Sequence, residues 1–270
     1  MPRRLALAAS AVFALALGSA AIGDEPPGAT VISTLDLTGP FATRSPWRFV
    51  ATQGPCVADP LGPFADLVPG PVSLCLTKGE AGPCRQSLAV VAKGAARSWV
   101  SLWRPHFLNV AMLVHPRGMR GSPLLLVQSA SLHSGDGDQV IYTQLLAYRA
   151  PLDRFEQVYE HQAGHNNNEE VRYVRAGPLA GDMISADPTG DPPFGYWIEV
   201  DALTPAYAYS RVLRFRSATR YNDGNSLAVI DAEMPNIEAR LGLWRRGAPL
   251  PLPGVPCANP RLVHMELWCS

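Results

Sequence analysis

Proline and glycine interrupt this chain so often that long helices have little room to form. There are 26 prolines and 23 glycines among 270 residues, and both residue types favour turns over the interiors of helices. Between the turns, short segments alternate apolar and polar side chains, the period of a strand with one buried face. In one such segment Ile198 and Val200 share a face, and Glu199 and Asp201 share the other. The pattern predicts an all-β protein.

Strand-like segments recur along most of the chain, and some of them are apolar on both faces, as the central strands of a sheet are. The predicted strands are residues 31–37, 47–54, 71–78, 87–93, 107–115, 123–132, 139–149, 154–162, 169–174, 181–187, 195–203, 207–217 and 226–231.

The predicted strands follow a repeat of about 55 residues. Residues 124–174 can be laid over residues 181–230, and the two units end on similar sequences, HNNNEEVRYV and YNDGNSLAVI. Units of three or four strands joined by short turns indicate antiparallel meanders, arranged like the blades of a β-propeller. A two-sheet sandwich built from the same meanders is the alternative.

One segment, MPNIEARLGLW, has the pattern of a helix. Pro235 suits the first position of a helix and Gly242 suits its end. Ile237, Leu241 and Trp244 are spaced to share one face, which can pack on a sheet. The sequence therefore predicts one short helix near residues 235–241.

The N-terminus has the layout of a secretory signal peptide. Arg3 and Arg4 precede an apolar stretch from Leu5 to Leu17, and small residues follow. This stretch is short for a bilayer span, and no later stretch reaches the length of a transmembrane helix. We therefore expect a signal peptide at residues 1–21, a single β-rich domain at residues 22–270 without a transmembrane segment, and a periplasmic or secreted location.

All five cysteines follow this leader, and export permits disulfides. Cys75 and Cys84 flank a Gly/Pro turn, and Cys257 and Cys269 close a loop at the C-terminal end of the sequence. Both separations suit a bridge across a hairpin. We predict the bridges Cys75–Cys84 and Cys257–Cys269. Cys56 is then a buried free thiol, unless it replaces a partner in the first bridge.

Composition and motifs exclude several classes of function. The formal net charge is zero, so the chain generates no overall field that would attract nucleic acid or an anionic membrane. The sequence contains no glycine-rich phosphate loop, no paired-cysteine zinc spacing and no nucleophile motif. We therefore expect no nucleic-acid partner and no cofactor, and the sequence assigns no catalytic residue.

A metal-binding candidate is the loop HSGDGDQ, where Asp136 and Asp138 alternate with glycines. Calcium loops begin in this way, but calcium takes six or more oxygen ligands and this loop supplies two acids. Aspartate and glycine are also the residues that turns require.

A candidate binding surface is the segment that contains Tyr207, Tyr209 and Arg211. Aromatic rings interleaved with guanidinium groups can stack on a sugar or a peptide. Alternatively, the arginines of this strand pair with acids of a neighbouring strand, such as Glu199 and Asp201.

These features favour an exported, non-catalytic β-protein that binds or scaffolds a protein or glycan partner in the cell envelope or outside the cell. Rigid sheets can hold their polar loops in place as the rim of a binding site. One alternative is a periplasmic hydrolase whose catalytic residues are dispersed over loops, which a deep pocket holding titratable groups with shifted pKa values would favour. The other is a calcium-stabilised, propeller-like module.

Overall fold

The structure is a computed structural model, and it confirms an all-β protein with few helical residues. It describes residues 28–60, 67–79, 82–88, 104–116, 123–133, 139–163, 170–189, 195–217, 229–249, 261–263 and 266–268.

Sixteen strands and three helical segments follow one another in the described residues. In chain order they are β1 (Thr30–Asp36), α1 (Thr38–Phe41), β2 (Trp47–Gln53), β3 (Val57–Ala58), β4 (Leu67–Val68), β5 (Val72–Lys78), β6 (Cys84–Ser87), β7 (Phe107–Val114), β8 (Leu124–Ala130), β9 (Ile141–Arg149), a 3-10 helix (Ala150–Leu152), β10 (Arg154–Ala163), β11 (Glu170–Tyr173), β12 (Met183–Pro188), β13 (Tyr196–Leu203), β14 (Tyr209–Ser217), α2 (Val229–Arg240), β15 (Arg261–Val263) and β16 (Glu266–Trp268).

Three four-stranded antiparallel sheets succeed one another along the chain. The first sheet has the strand order β1-β2-β5-β6, the second β10-β9-β8-β7 and the third β11-β12-β13-β14. The hairpins β3-β4 and β15-β16 form separate two-stranded sheets. The second and third sheets are simple meanders, because each strand pairs with the next one in the sequence.

The three sheets pack face to face in chain order, and α2 covers the far face of the third. One core cluster joins the first sheet to the second, another joins the second to the third, and a third joins the third sheet to α2. Fully buried members are Phe49 and Leu125 in the first cluster, Leu145 and Met183 in the next, and Ile198 and Ile237 in the last.

Strand β8 shows why some strands are apolar throughout. Leu125 and Val127 belong to the cluster shared with the first sheet, whereas Leu124 and Leu126 belong to the cluster shared with the third. Successive side chains of a strand point to opposite faces. A strand in a middle sheet therefore needs apolar residues at consecutive positions.

The repeat predicted from the sequence coincides with three strands of each unit and fails at the fourth. β8, β9 and β10 align with β12, β13 and β14, and both trios are antiparallel meanders. The strand Glu170–Tyr173, however, pairs with β12 and so opens the third sheet. Of its predicted counterpart, residues 226–231, the described part, 229–231, belongs to α2. Three stacked sheets exceed a two-sheet sandwich, and the described strands do not show a closed propeller.

Helix α2 confirms the predicted short helix but begins earlier, at Val229, so the strand predicted at residues 226–231 was wrong at residues 229–231; residues 226–228 lie outside the described residues. Val229 and Ile230 are 2% and 0% exposed and pack with Ile237 against the third sheet. Pro235 lies inside the helix, where it lacks the N–H that would bond the carbonyl four residues earlier. The burial of the two apolar residues outweighs this local cost.

The end of α2 lies within one residue of the prediction. Gly242 has a left-handed φ of 72°, which glycine adopts without the clash that a Cβ causes. The N–H of Leu243 then donates to the carbonyl of Glu238 at 2.8 Å, as in the glycine-containing motif that commonly ends helices.

The sulfur atoms of Cys75 and Cys84 lie at disulfide distance, 1.95 Å apart, as the sequence predicts. They join β5 to β6 across the hairpin. Cys56 has no disulfide partner among the described residues and is exposed; the expectation of burial was wrong because the residue lies in the loop after β2 and not on a sheet face. Cys257 and Cys269 lie outside the described residues, so their bridge stays a prediction.

In the described part of the chain, no helix is long and apolar enough to cross a membrane. The predicted signal peptide at residues 1–21 lies outside that part, so export stays a prediction. The cysteine pair at disulfide distance is compatible with an oxidising location outside the cytoplasm.

Candidate functional site

The structure places the two tyrosines of the predicted binding surface against the core. Tyr207 and Tyr209 are partly buried and pack against the cluster between the second and third sheets. The Tyr209 ring meets the Tyr159 ring edge-to-face with centroids 5.3 Å apart, and its hydroxyl donates to the Gly181 carbonyl at 2.8 Å. The side chain of Arg211 is 50% exposed. In this segment the Arg211 guanidinium is therefore accessible to solvent, whereas the two tyrosine rings are partly covered. The role of the segment in binding stays a prediction.

The arginines of β14 pair with the acids of β13, as the alternative interpretation expected. Arg211 contacts Glu199 and lies 3.9 Å from Asp201, and Arg214 Nε lies 2.8 Å from Glu199 Oε1. The Arg214 guanidinium also lies 3.9 Å from the centre of the Trp197 ring. These contacts follow from the cross-strand register.

Asp136 and Asp138 lie outside the described residues, so a calcium site there stays a prediction. Where the structure describes the chain, no group of three or more His, Cys, Asp or Glu residues is placed to hold a metal ion.

A cleft with a volume of about 790 Å³ lies at the β11 edge of the third sheet, where residues of the second sheet and of α2 face each other. Volumes of this order hold small organic ligands. The second sheet, β11 with the turn that follows it, and α2 each form one wall. The residues that line it are Val110, Leu126, Gln128, Thr143, Val171, Arg172, Tyr173, Val174, Arg175, Ala176, Gly177, Pro178, Leu179, Asp231, Met234 and Glu238.

One face of α2 forms the helical wall of the cleft. Asp231, Met234 and Glu238 are spaced three and four positions apart, which places their side chains on the same side of a helix. Ile230 and Ile237 are fully buried in the cluster with the third sheet. The helix therefore uses its apolar residues for packing and presents two carboxyl groups to the cleft.

The opposite wall, formed by the second sheet, carries two polar side chains, Gln128 and Thr143. Val110, Gln128 and Thr143 are cross-strand neighbours on β7, β8 and β9, and Gln128 Nε2 donates to Thr143 Oγ1 at 3.0 Å. Sequence reasoning missed these residues. The available signal was a glutamine that follows four apolar residues on a central strand, where a polar side chain needs a partner.

A charged network links β11 to α2 at the cleft. The Arg172 guanidinium contacts Glu170 and Asp231, with a further hydrogen bond of 3.2 Å to Asp231 Oδ2. Asp231 is completely buried. Burial disfavours a charged guanidinium, but the hydrogen bonds to Asp231 and the charge of Glu170 outweigh it and raise the pKa of Arg172. The network positions the edge strand relative to the helix.

Two acidic and two basic residues line the cleft, and a third acid, Glu170, contacts Arg172 from beside it. Arg172, whose side chain is 26% exposed, pairs with Glu170 and Asp231, whereas Glu238 is not part of this network. Burial raises the pKa of Glu170 and of Glu238. Glu170 Oε2 has no hydrogen-bond partner. Glu238 is only 6% exposed, and its carboxyl group has no hydrogen-bond or ion-pair partner among the described residues.

Asp182 lies beside the cleft, directly before β12, and its burial raises its pKa to about 6. The folded chain therefore holds a proton that the unfolded chain releases at a lower pH, so ionisation opposes folding as the pH rises from about 4 to 6. We expect Asp182→Asn to be about 1 kcal/mol more stable than the parent at pH 8, a value reduced for solvent screening. The two should be equal at pH 3.5. Urea unfolding at the two pH values tests this, and equal stability at pH 8 would contradict it.

Comparison of the chain with models of protein families, with curated proteins and with solved structures found no match.

Proposed function

We propose that this protein is an exported, non-catalytic binding module whose ligand occupies the cleft between the second sheet and α2. The cleft itself carries the proposal, because its volume of about 790 Å³ and its largely apolar wall with a few polar groups are typical of small-molecule sites. Its walls belong to regular elements: β8 and β9 are central strands of the second sheet. Such walls hold a ligand with little reorganisation on binding.

The pairing of the polar groups supports binding over catalysis. Arg172 is engaged by Glu170 and Asp231, and Gln128 by Thr143. Nucleophilic hydrolysis requires a hydroxyl or thiol aligned with a base. Among the described residues that line the cleft, the Thr143 hydroxyl accepts a hydrogen bond from Gln128, and there is no histidine, cysteine or serine.

Ligand-observed NMR with a library of neutral fragments tests the cleft as the binding site. Ala176 is exposed at the mouth of the cleft, so Ala176→Trp should obstruct entry without disturbing the core. Val212, on β14 at the other edge of the third sheet, is 50% exposed, and Val212→Trp is the matched control. We expect fragment affinity to fall about tenfold or more in the first variant only. Absence of binding, or equal binding by both variants, would refute the proposal.

A periplasmic hydrolase is the second candidate, because Glu238 places a carboxyl group of raised pKa in the cleft. A carboxyl group whose pKa is raised is a candidate general acid. Assays against chromogenic esters and glycosides test this candidate. Turnover by the parent that is lost in Glu238→Gln would favour hydrolysis, and no turnover by either would favour binding.

Recovery of the full-length chain after expression in a Gram-negative host tests the exported part of the proposal. We expect the protein in the periplasm or the medium, with an N-terminus that begins after residue 20 or 21. Retention in the cytoplasm with residues 1–21 intact would refute export.

A further inference from the structure

Building on the proposed function, we infer that the cleft selects an organic cation, an apolar body that carries a protonated amine, with the carboxylate of Glu238 as its counter-ion.

Glu238 places a nearly buried carboxyl group in the cleft. Its side chain is only 6% exposed and makes no hydrogen bond or ion pair with any described residue. It lies on the face of α2 that lines the cleft. A buried carboxyl group without a partner costs free energy. A ligand that brings an ammonium group supplies the missing partner and recovers that cost.

The charge around Glu238 selects the sign of the ligand. Arg172 already contacts Glu170 and Asp231, so its charge is compensated within the wall. Arg175 is exposed at the rim, where one guanidinium nitrogen lies 3.1 Å from Met112 Sδ, and solvent screens it. The interior therefore favours a cation and repels a carboxylate.

The remaining wall selects the body of the ligand. Val110 and Leu126 from the second sheet, and Val174, Leu179 and Met234 from the opposite side, line the cleft. Burying these side chains against the apolar part of a ligand lowers the free energy of binding, whereas they offer no hydrogen bonds to a strongly polar molecule. An aromatic or aliphatic amine combines both requirements, whereas an amino sugar or an inorganic cation meets only one.

Three probes that share an indole ring separate charge from shape: tryptamine is cationic, tryptophol is neutral, and indole-3-acetate is anionic. NMR titration at pH 7.5 measures their affinities. We expect the parent to bind tryptamine about tenfold more tightly than tryptophol, and indole-3-acetate to bind most weakly. In Glu238→Gln the affinity for tryptamine should fall to that for tryptophol, while tryptophol binds as before.

Glu160→Gln is the matched control, since Glu160 is an exposed carboxylate on β10, and it should keep the preference for tryptamine. Urea unfolding of Glu238→Gln checks that the variant folds. Equal binding of tryptamine and tryptophol by the parent would overturn the inference and leave the proposed binding site intact. Tighter binding of indole-3-acetate, or no binding of any probe at millimolar concentration, would also overturn it; the Ala176→Trp fragment experiment then decides separately whether the cleft binds ligands at all.

Discussion

Replacing Phe155 with alanine is expected to lower the free energy of unfolding by about 4 kcal/mol. The ring is 2% exposed and lies where the first sheet meets the second. Its centroid is 5.0 Å from that of Phe41 and 5.6 Å from that of Trp47, both edge-to-face, and 5.4 Å from that of Tyr148. Truncation removes these aromatic contacts and leaves a cavity that rigid sheets cannot collapse to fill.

Urea unfolding measures this effect, and Leu152→Ala is its control. Leu152 lies in the adjoining 3-10 helix and is 57% exposed, so its truncation should cost less than about 0.5 kcal/mol. A loss below about 1 kcal/mol for Phe155→Ala would mean that the aromatic cluster contributes little to joining the two sheets.

The second large effect concerns Asp153, whose carboxylate accepts four hydrogen bonds, three of them from residues of the first sheet or the segment before β2. Its donors are Lys78 Nζ at 2.6 Å, Trp47 Nε1 at 3.0 Å, Ser45 Oγ at 2.7 Å and the Tyr148 hydroxyl at 2.7 Å. Asp153→Ala leaves all four donors without their acceptor. We therefore expect it to lower the free energy of unfolding by about 3 kcal/mol.

The backbone at Asp153 adds to this cost and defines the comparison variant. Its φ is 44°, a left-handed conformation that asparagine and aspartate adopt more readily than alanine. Asp153→Asn keeps that backbone preference and one acceptor oxygen, so it should cost about half as much as alanine. Equal stability of the parent and both variants at pH 7 would refute the role of this carboxylate.

The same contacts predict a dependence on acid. The hydrogen bonds from Lys78, Trp47, Ser45 and Tyr148 hold the pKa of Asp153 far below its usual value. A carboxylate with a depressed pKa in the folded state stabilises the protein above its unfolded pKa of about 4, and this contribution is lost as the pH falls below that value. The difference between the parent and Asp153→Ala should therefore shrink between pH 4 and pH 2. A constant difference over that range would contradict this account.

Little of the cleft was predictable from the sequence, in contrast to the strands. Gln128, Thr143, Arg172 and Glu238 come from four different elements and form no local motif. Each one, taken alone, resembles an ordinary polar residue of a strand or helix. The register of the second sheet brings Gln128 to Thr143, and the position of α2 beside β11 brings Asp231 to Arg172.

Alternation, turn residues and cysteine spacing determined the local structure of this protein: the β-strands, the position at which α2 ends, and the pairing of Cys75 with Cys84. These features depend on neighbours in the sequence, whose geometry is set by strand period, backbone φ and hairpin length. Tertiary packing decided that residues 229–231 are helical, that residues 170–173 open the third sheet, and that the Tyr209 ring faces the core. At residues 229–231, burial of Val229 and Ile230 outweighs the local strand preference. In the other two cases the partner strand and the buried face depend on distant elements, which neighbouring residues do not specify.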